Sequence, residues 1–428
     1  MSCGLDKQKL LIIQGAGCSI PFEMPLVQDV DREMIIWSKE FEAKQPSKIN
    51  TNFFQEIWDA SERYYKEGTY HHGIYPNFES VLGNMIALAN WITPPERLDG
   101  LISTFGDPII EELIGPTPFG TLGGLLGLPN DTRKAVRDII MAQHGYLVNK
   151  LADYFRKKCL DRTKPIDSYK KFLEEIRKDF DVGIYNLNYD DVAIHAWPEA
   201  YTGFDSNGLD ENIFCPKAIF DRKEWGFVYH LHGSVHNHIQ TDKQGKTDKQ
   251  RIGWKKDLSS SNFTVYDKNH MSLVVNSNSS RMPMSTLLAG GFKLEQLSPE
   301  PFQTFHSSLV RHAYEANAIL IIGYGFGDTH VNWVLKNRYR YDKTKLKVLT
   351  VNKTKSEKLE VGYWMQCWRH TFADFDSFSS LEGGNPDIFY PLKGKKNKRI
   401  NDKNGIYLKG TEKAFESDGI IKFLSEKY

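Results

Sequence analysis

Four short apolar runs most constrain how this chain can fold, because each has the length of one strand and each ends in small or polar residues. They lie in the segments KLLIIQGAGCSI, FDVGIYNLNYDD, NAILIIGYGFGDTH and LKVLTVNK. Continuous apolar strands that alternate with helical patterns, such as VNWVLKNRYRYDKTK, are typical of a parallel sheet covered on both faces. We therefore predict an α/β fold whose ligand lies beyond the carboxyl ends of the strands, where the polar tails gather.

The long segment between the first two runs has almost no strand character. In NFESVLGNMIALANWI, apolar residues recur at helical spacing and predict a buried stripe made of Phe78, Val81, Leu82, Met85 and Leu88. The segment DTRKAVRDIIMAQHGYLVNKLADYFRKKCL predicts one or two longer helices, and GPTPFGTLGGLLGLPND predicts a loop between these regions. The segment is therefore interpreted as a helical insertion into the sheet domain.

Charge and composition limit the classes of partner. The chain has 428 residues, 55 Lys and Arg against 54 Asp and Glu, and a formal net charge of +1. Its overall field therefore attracts neither nucleic acid nor a membrane surface, and we expect no direct nucleic-acid binding. We interpret the basic stretch KGKKNKRINDKNG, which begins at Lys393, as a solvated loop.

The same sequence gives an expectation for the compartment. The first apolar run, Leu10 to Ile13, is too short for a signal peptide or a membrane span, and we expect no membrane association. No two of the five cysteines form a CxxC pair, so they indicate neither a zinc ribbon nor a disulfide framework: Cys3, Cys18, Cys159, Cys215 and Cys367. We therefore expect a cytoplasmic protein.

The segment HLHGSVHNH places four histidines within nine residues: His230, His232, His236 and His238. A metal site would need several of them to converge with carboxylate or thiolate partners, and Cys215 is the only nearby thiol. Because Gly233 and Ser234 end the strand, we expect no metal here. We interpret His230 as a buried core residue, and His236 and His238 as exposed loop residues.

Gly15 and Gly17 follow the first apolar run directly. A strand that ends in Gly-Ala-Gly lets the backbone approach a phosphate while the next helix points its amides at the anion. The same glycines would also suit a tight turn with no ligand. The motif lacks the full GxGxxG pattern, which argues against an ordinary dehydrogenase.

Five strand-end motifs occur in a particular order along the chain: GAGCS, NLNYDD, LHGS, GYGFGDTHVN and VLTVN. Their order and approximate spacing are similar to those of the sirtuin family, and together they resemble its NAD pocket. The segment IIGYGFGDTHVN most resembles the GYSFGDxHIN segment of sirtuin-like proteins from bacterial antiphage defence. The resemblance implies a discontinuous Rossmann-like domain of residues 1–40 and 176–380, a helical insertion of residues 41–175, and a C-terminal extension of residues 381–428.

The resemblance also implies roles for residues at matching positions. Asn188 would lie beside the nicotinamide ribose, His232 would be the catalytic histidine, and Asp190 would be the acidic residue two places after Asn188. The diphosphate and its adjoining ribose would lie along Gly15, Ala16, Gly17 and Ser19. The remaining cofactor residues would be Gly323, Gly325 and Phe326 at its border, Asp328 bracing their loop, and Asn352 at the adenosine end.

Two departures from the family pattern are informative. Asn186 and Leu187 stand where relatives commonly have the two threonines of TTNYD, which leaves the local hydrogen bonding open. Deacylating sirtuins hold a structural zinc with two cysteine pairs, and this chain has none. A protein deacylase is therefore the weaker interpretation, and the fold is predicted without a zinc ribbon.

The residues suit cleavage of the bond between nicotinamide and ribose. An imidazole with a pKa near neutrality can accept a proton from a ribose hydroxyl or an attacking water. An Asn amide can orient that water, because it has both a donor and an acceptor. Asp190 would either add negative charge nearby or cap a helix.

The resemblance thus implies an NAD+ glycohydrolase that produces nicotinamide and ADP-ribose, with NAD+ as substrate and no metal. It implies a defence effector that depletes NAD+ on phage infection. Such an activity must be held off in uninfected cells, so a homo-oligomer or an ATPase, Argonaute-like or phage-sensing partner is implied. An NAD-dependent deacylase and a module that only binds NAD or ADP-ribose remain alternatives, although a pure sensor has no need of both Asn188 and His232.

Overall fold

The computed structural model describes most of the chain, with gaps. The described residues are 7–44, 51–67, 76–92, 130–206, 211–242, 249–260, 263–274, 281–290, 297, 299–342, 346–353, 372, 377–380, 388–393, 398–399 and 404–426. The chain divides into two compact units. The sheet unit comprises residues 1–24, 158–234 and 301–428, and the helical unit comprises residues 25–157 and 235–300. These units do not coincide with the predicted domains, whose boundaries stay a prediction.

The sheet unit is built on six parallel strands, in the order β5-β2-β1-β10-β11-β15. An antiparallel edge follows β15, in the order β13 then β12, and β14 pairs with β13. The strands are β1 Gln8–Gln14, β2 Phe180–Asn186, β5 Phe227–His230, β10 Ala318–Ile322, β11 Lys347–Val351, β12 Ser377–Ser380, β13 Ile388–Lys393, β14 Lys398–Arg399 and β15 Asn404–Tyr407. The predicted parallel sheet and its four apolar strands are therefore confirmed.

The register of the central strands explains their continuous apolar sequence. Ile12 of β1 lies between Ile184 of β2 and Leu320 of β10, and all three are fully buried. A strand buried on both faces favours β-branched and aliphatic side chains at every position rather than at alternate ones. Because neighbouring strands are parallel, their carboxyl ends share one edge of the sheet, which places the polar strand-end motifs together.

Helices and a short hairpin complete the sheet unit. After β1, a four-residue helix leads into a 3-10 turn at Ile20–Phe22. The helices are α1 Ala16–Ser19, α6 Asp167–Asp179, α7 Val192–Ala196, α8 Pro216–Asp221, α9 Phe302–Glu315, α10 Thr329–Tyr341, α11 Thr411–Phe415 and α12 Asp418–Ser425. The hairpin strands are β3 Phe204–Ser206 and β4 Glu211–Phe214, which pair antiparallel.

The helical unit contains the predicted long helices. Its helices are α2 Val27–Ala43, α3 Phe53–Glu67, α4 Phe78–Ile92 and most of α5 Asn130–Leu160. The predicted stripe on α4 is confirmed, since Phe78, Val81, Leu82, Met85 and Leu88 are all buried. The unit also has two antiparallel pairs, β6 Asn237–Asp242 with β7 Lys249–Lys255, and β8 Tyr266–Val274 with β9 Arg281–Ser285.

Two predicted loops fall mostly in the gaps. The segment GPTPFGTLGGLLGLPND lies outside the described residues except at its end, and the basic stretch from Lys393 is described only in part. Among the helices that the structure describes, none combines the length and the apolar character needed to cross a membrane.

Candidate active site

The turn after β1 and the turn after β10 pack backbone against backbone. Gly15 N donates to the carbonyl of Ile322 at 2.9 Å, and Gly17 N donates to the carbonyl of Gly323 at 2.9 Å. A Cβ added at Gly17 would lie 2.7 Å from Gly323 Cα, and one added at Gly323 would lie 2.2 Å from Cys18 N. These glycines are therefore required by the packing of the two turns, whether or not a phosphate binds there.

The helix after this turn is short. Ala16 begins α1, which ends at Ser19. With four residues, α1 cannot present the aligned amides of a longer helix to an anion. A diphosphate along Gly15, Ala16, Gly17 and Ser19 stays a prediction.

The turn after β10 opens beyond Gly323. No described atom lies within 4 Å of a Cβ added at Gly325 or Gly327. Between them, Phe326 has φ +57°, a left-handed conformation that non-glycine residues rarely adopt. The carbonyl of Phe326 accepts a hydrogen bond from Asn332 Nδ2 at 2.7 Å, which holds the strained residue against α10.

Tyr324 fixes the other end of the same turn. Its hydroxyl accepts a hydrogen bond from Asp328 N at 3.0 Å and lies 3.0 Å from Asn332 Oδ1, to which it donates. The backbone around Asp328 is thereby tied to the first turn of α10. These contacts are made by the main chain of Asp328, and its role in bracing a cofactor loop stays a prediction.

Asn188 joins the loop after β2 to the turn after β1. Its Nδ2 donates to the carbonyl of Gly15 and to Ser19 Oγ, each at 3.0 Å. Its own main-chain N donates to Asn186 Oδ1 at 3.0 Å. Asn186, one of the two residues that replace the threonines of TTNYD, thus accepts a local hydrogen bond from the Asn188 backbone. The contacts of Asn188 thus bring three of the predicted residues together at this point: Gly15, Ser19 and Asn188.

Asp190 is buried at the start of α7. Its Oδ1 accepts a hydrogen bond from Val192 N at 3.1 Å, although the N-cap residue of α7 is Asp191. Burial raises the pKa of Asp190 to about 6, although hydrogen bonds from Ser19 and the Val192 amide oppose that rise. Near neutral pH, the ionisation of Asp190 therefore costs free energy in the folded protein.

The neighbouring carboxylate, Asp191, was missed by the sequence analysis. Burial opposes its ionisation, but a hydrogen bond from His195 and the charge of Arg162 hold the pKa of Asp191 well below its ordinary value. Arg162 Nη1 lies 2.6 Å from Asp191 Oδ1, and both side chains are buried. The two adjacent acidic residues of NLNYDD were a signal in the sequence. The sequence did not show that Arg162 would lie beside them.

His232 meets the segment after β10. Its Nε2 lies 3.0 Å from His330 Nε2 and 3.8 Å from Asp328 Oδ1. Gly233, with φ +92°, turns the chain immediately after it. β5 and β10 are three positions apart in the sheet, a distance of about 14 Å. The segment from Gly323 to His330 therefore reaches back over the ends of β1 and β2.

The other histidines of HLHGSVHNH have separate surroundings. His230 is buried as predicted, and its Nδ1 donates to the carbonyl of Asn188 at 3.3 Å. The prediction that His236 and His238 are exposed is wrong, since both are buried within the helical unit. His236 stacks on Trp254 and donates to the carbonyl of Lys255 at 2.7 Å. Aromatic packing, which the polar sequence around them concealed, accounts for their burial.

Asn352 lies at the same edge, directly after β11. Its main-chain N donates to the carbonyl of Tyr407 and its carbonyl accepts from Gly410 N, so it links β11 to the segment after β15. Its Nδ2 lies 3.4 Å from the carbonyl of Tyr324. A contact with the adenosine end of a cofactor stays a prediction.

Solved structures that resemble the chain are distant from it. One from a study of sirtuin substrate affinity has 10% identity and a TM-score of 0.32, and the match covers 83% of this chain and 86% of that one. A Sir2 homologue in complex with NAD has 11% identity and a TM-score of 0.32, with 82% and 80% covered. One from a study of the mechanism and regulation of Sir2 enzymes has 10% identity and a TM-score of 0.35, with 98% and 92% covered.

These likenesses are too distant to carry an argument about function, and no curated protein matches the chain. The sequence itself gives a more specific result. Residues 182–366 match a family model, and this segment contains the loop after β2, His232 and the whole segment from Gly323 to Asn352, but not the turn after β1. That family is the SIR2-like domain, and the match confirms the resemblance of this chain to the sirtuins.

Proposed function

We propose that the chain is an NAD+ glycohydrolase that cleaves NAD+ to nicotinamide and ADP-ribose. The observation that carries the proposal is the placement of Asn188 and His232 after the adjacent parallel strands β2 and β5. Both residues lie within the SIR2-like segment. The family resemblance implies that Asn188 lies beside the nicotinamide ribose and that His232 is the catalytic histidine. This placement supports the proposal that an amide and an imidazole would act on one ligand.

The contacts of Asn188 suggest how it acts. Both hydrogens of its amide are engaged, by the carbonyl of Gly15 and by Ser19 Oγ. The group left to meet a ligand is its Oδ1, which can only accept a hydrogen bond. Asn188 would therefore orient a water molecule or a ribose hydroxyl by accepting from it.

His232 would supply the base. Cleavage passes through an oxocarbenium-like state at the anomeric carbon, and nicotinamide leaves as a neutral molecule. His232 would take the proton from the attacking water or from the ribose hydroxyl that Asn188 orients. The hydrogen bond that Asp190 accepts from Val192 N supports a structural part for that buried residue.

We further propose that this activity serves as an antiphage effector that depletes NAD+. The support is the resemblance of IIGYGFGDTHVN to the corresponding segment of defence proteins. Such an effector requires control by a second copy of the chain or by an ATPase, Argonaute-like or phage-sensing partner. The cytoplasm, where NAD+ and phage replication meet, is the compartment in which it would act.

The first experiment incubates the purified full chain with NAD+, and separately with NAD+ and an acetylated peptide. Chromatography should resolve nicotinamide and ADP-ribose in both reactions. O-acetyl-ADP-ribose that appears only with the peptide, without hydrolysis in its absence, would replace the proposal with a deacylase.

Variants then test the assigned roles. His232→Ala and Asn188→Ala should each lower kcat by about a hundredfold or more, the usual scale for loss of acid-base help. Their combination should cost far less than the product of the two losses, because both act on one step. His230→Ala is the matched control, and should lower stability with only a modest loss of activity. Near-normal hydrolysis by His232→Ala, with activity abolished in His230→Ala, would contradict the alignment at LHGS.

A further inference from the structure

We propose that His232, Asp328 and His330 form a binding site for a divalent transition metal, best matched by Zn²⁺. Their ligand atoms all lie within 4.8 Å of one another, and the three ligands, two imidazoles and one carboxylate, come from two distant parts of the chain. His232 follows β5, while Asp328 and His330 begin α10. The site is separate from any cysteine zinc ribbon.

The separations of the ligand atoms suit one ion. Tetrahedral zinc with bonds of roughly 2.0–2.2 Å places neighbouring ligand atoms about 3.4 Å apart. The two observed separations from His232 Nε2 are 3.0 Å to His330 Nε2 and 3.8 Å to Asp328 Oδ1, one on each side of that value. Small rotations of the three side chains would equalise them.

The donor set selects the class of metal. Two imidazole nitrogens and one carboxylate oxygen suit zinc and neighbouring transition metals, whereas Mg²⁺ and Ca²⁺ prefer oxygen ligands alone. Three protein ligands leave one position of a tetrahedral ion for water. The carboxylate of Asp328 also supplies negative charge, which lowers the cost of placing a cation beside two neutral rings.

Because the three ligand side chains are buried, they are held close together before any ion binds. The side chain of His232 is 3% exposed and that of Asp328 is 14% exposed, while His330 is 5% exposed overall. At 3.0 Å, one of the two Nε2 atoms donates a hydrogen to the other. A metal ion would replace that hydrogen, and both rings would then act as acceptors.

The consequence for activity rests on the proposed function. Hydrolysis uses His232 as a base, and a metal bound to its Nε2 would occupy the lone pair that accepts the proton. The ion would therefore inhibit hydrolysis and keep the enzyme inactive until it is removed. This proposal revises the expectation from sequence that the chain binds no metal, because only one ligand comes from HLHGSVHNH and the other two from GDTH.

Binding is tested without reference to activity. The full chain is stripped with a chelator and titrated with Co²⁺, whose visible absorption reports tetrahedral nitrogen and oxygen ligands, and with Zn²⁺ by calorimetry. We expect one ion per chain. His330→Ala and Asp328→Asn should each weaken binding by more than about tenfold, the scale on which even supporting residues of metal sites act.

His306→Ala is the matched control. Its ring lies 5.6 Å from that of His330, centroid to centroid, yet it is not part of the group of three ligands. This variant should keep the binding of wild type, and circular dichroism should show that all variants are folded. If wild type binds Co²⁺ no better than folded Asp328→Asn or His330→Ala, the proposed site is wrong.

Inhibition is tested separately. One equivalent of Zn²⁺ should suppress hydrolysis of NAD+ by wild type at least tenfold, and a chelator should restore it. Stoichiometric binding with unchanged hydrolysis would overturn the inhibitory role. An absence of hydrolysis under all conditions, with tight binding intact, would instead count against the proposed function, so the two failures are distinguishable.

Discussion

The loop after β2 and the loop after β10 leave the same edge of the sheet, yet they are held in different ways. The β2 loop is fixed by buried side chains, with Asn188 bound to the first turn and Asp191 to Arg162. The β10 loop is anchored at Gly323, where an added Cβ would meet Cys18 N. Further along, no described atom lies within 4 Å of a Cβ added at Gly325 or Gly327. The β2 loop therefore presents a preset geometry, whereas the β10 loop has space around Gly325 and Gly327 among the described residues.

The largest expected effect concerns the anchor of the β10 loop. Gly323→Ala should lower the free energy of unfolding by about 4 kcal/mol or more, because Gly323 has φ +62° and the added carbon would meet Cys18 N. Gly325→Ala is the matched control and should cost less than about 1 kcal/mol. Urea unfolding of both variants measures the difference. Equal costs would mean that the contrast within this loop does not exist.

The second effect concerns the buried ion pair of the β2 loop. Arg162→Met should cost about 3 kcal/mol, because Asp191 would keep, among the described residues, only the half-exposed His195 as an ion-pair partner. Lys178→Met removes the exposed pair with Glu175 and should change stability little. The same unfolding experiment compares them. An equally small cost for Arg162→Met would show that the β2 loop is not held by this pair.

The smallest effect is a dependence on pH. Burial raises the pKa of Asp190 from 3.8 to about 6, so its contribution to stability is fully present below pH 4 and is lost as the pH rises through 6. Asp190→Asn can keep the bond to Val192 N and carries no charge. It should stabilise the protein by roughly 2 to 3 kcal/mol at pH 8 and have little effect at pH 4. Thermal melts from pH 4 to 8 would reveal a gap that widens with pH, and a constant gap would contradict the burial of an ionised Asp190.

The strands and their polar ends could be predicted from the sequence, since a strand buried on both faces is a continuous apolar run. The buried stripe on α4 could also be predicted, because its apolar residues recur at helical spacing. The contact of His232 with His330 was not, because it depends on the path of a loop across two strands rather than on any local pattern. β15 was missed for a different reason, since NGIY has too few apolar residues to resemble a buried strand.

The pairings of β1 have a consequence for synthesis of the protein. This strand ends at Gln14, but it pairs with β2 on one side and with β10, which begins at Ala318, on the other. In addition, Thr411 donates a hydrogen bond to the carbonyl of Gly17. At typical rates of translation, the first strand waits for on the order of tens of seconds before its second partner leaves the ribosome. An unfinished nascent chain therefore has no assembled sheet edge. For the proposed NAD+ hydrolase, the order of the strands would itself delay activity until β10 and Thr411 have left the ribosome.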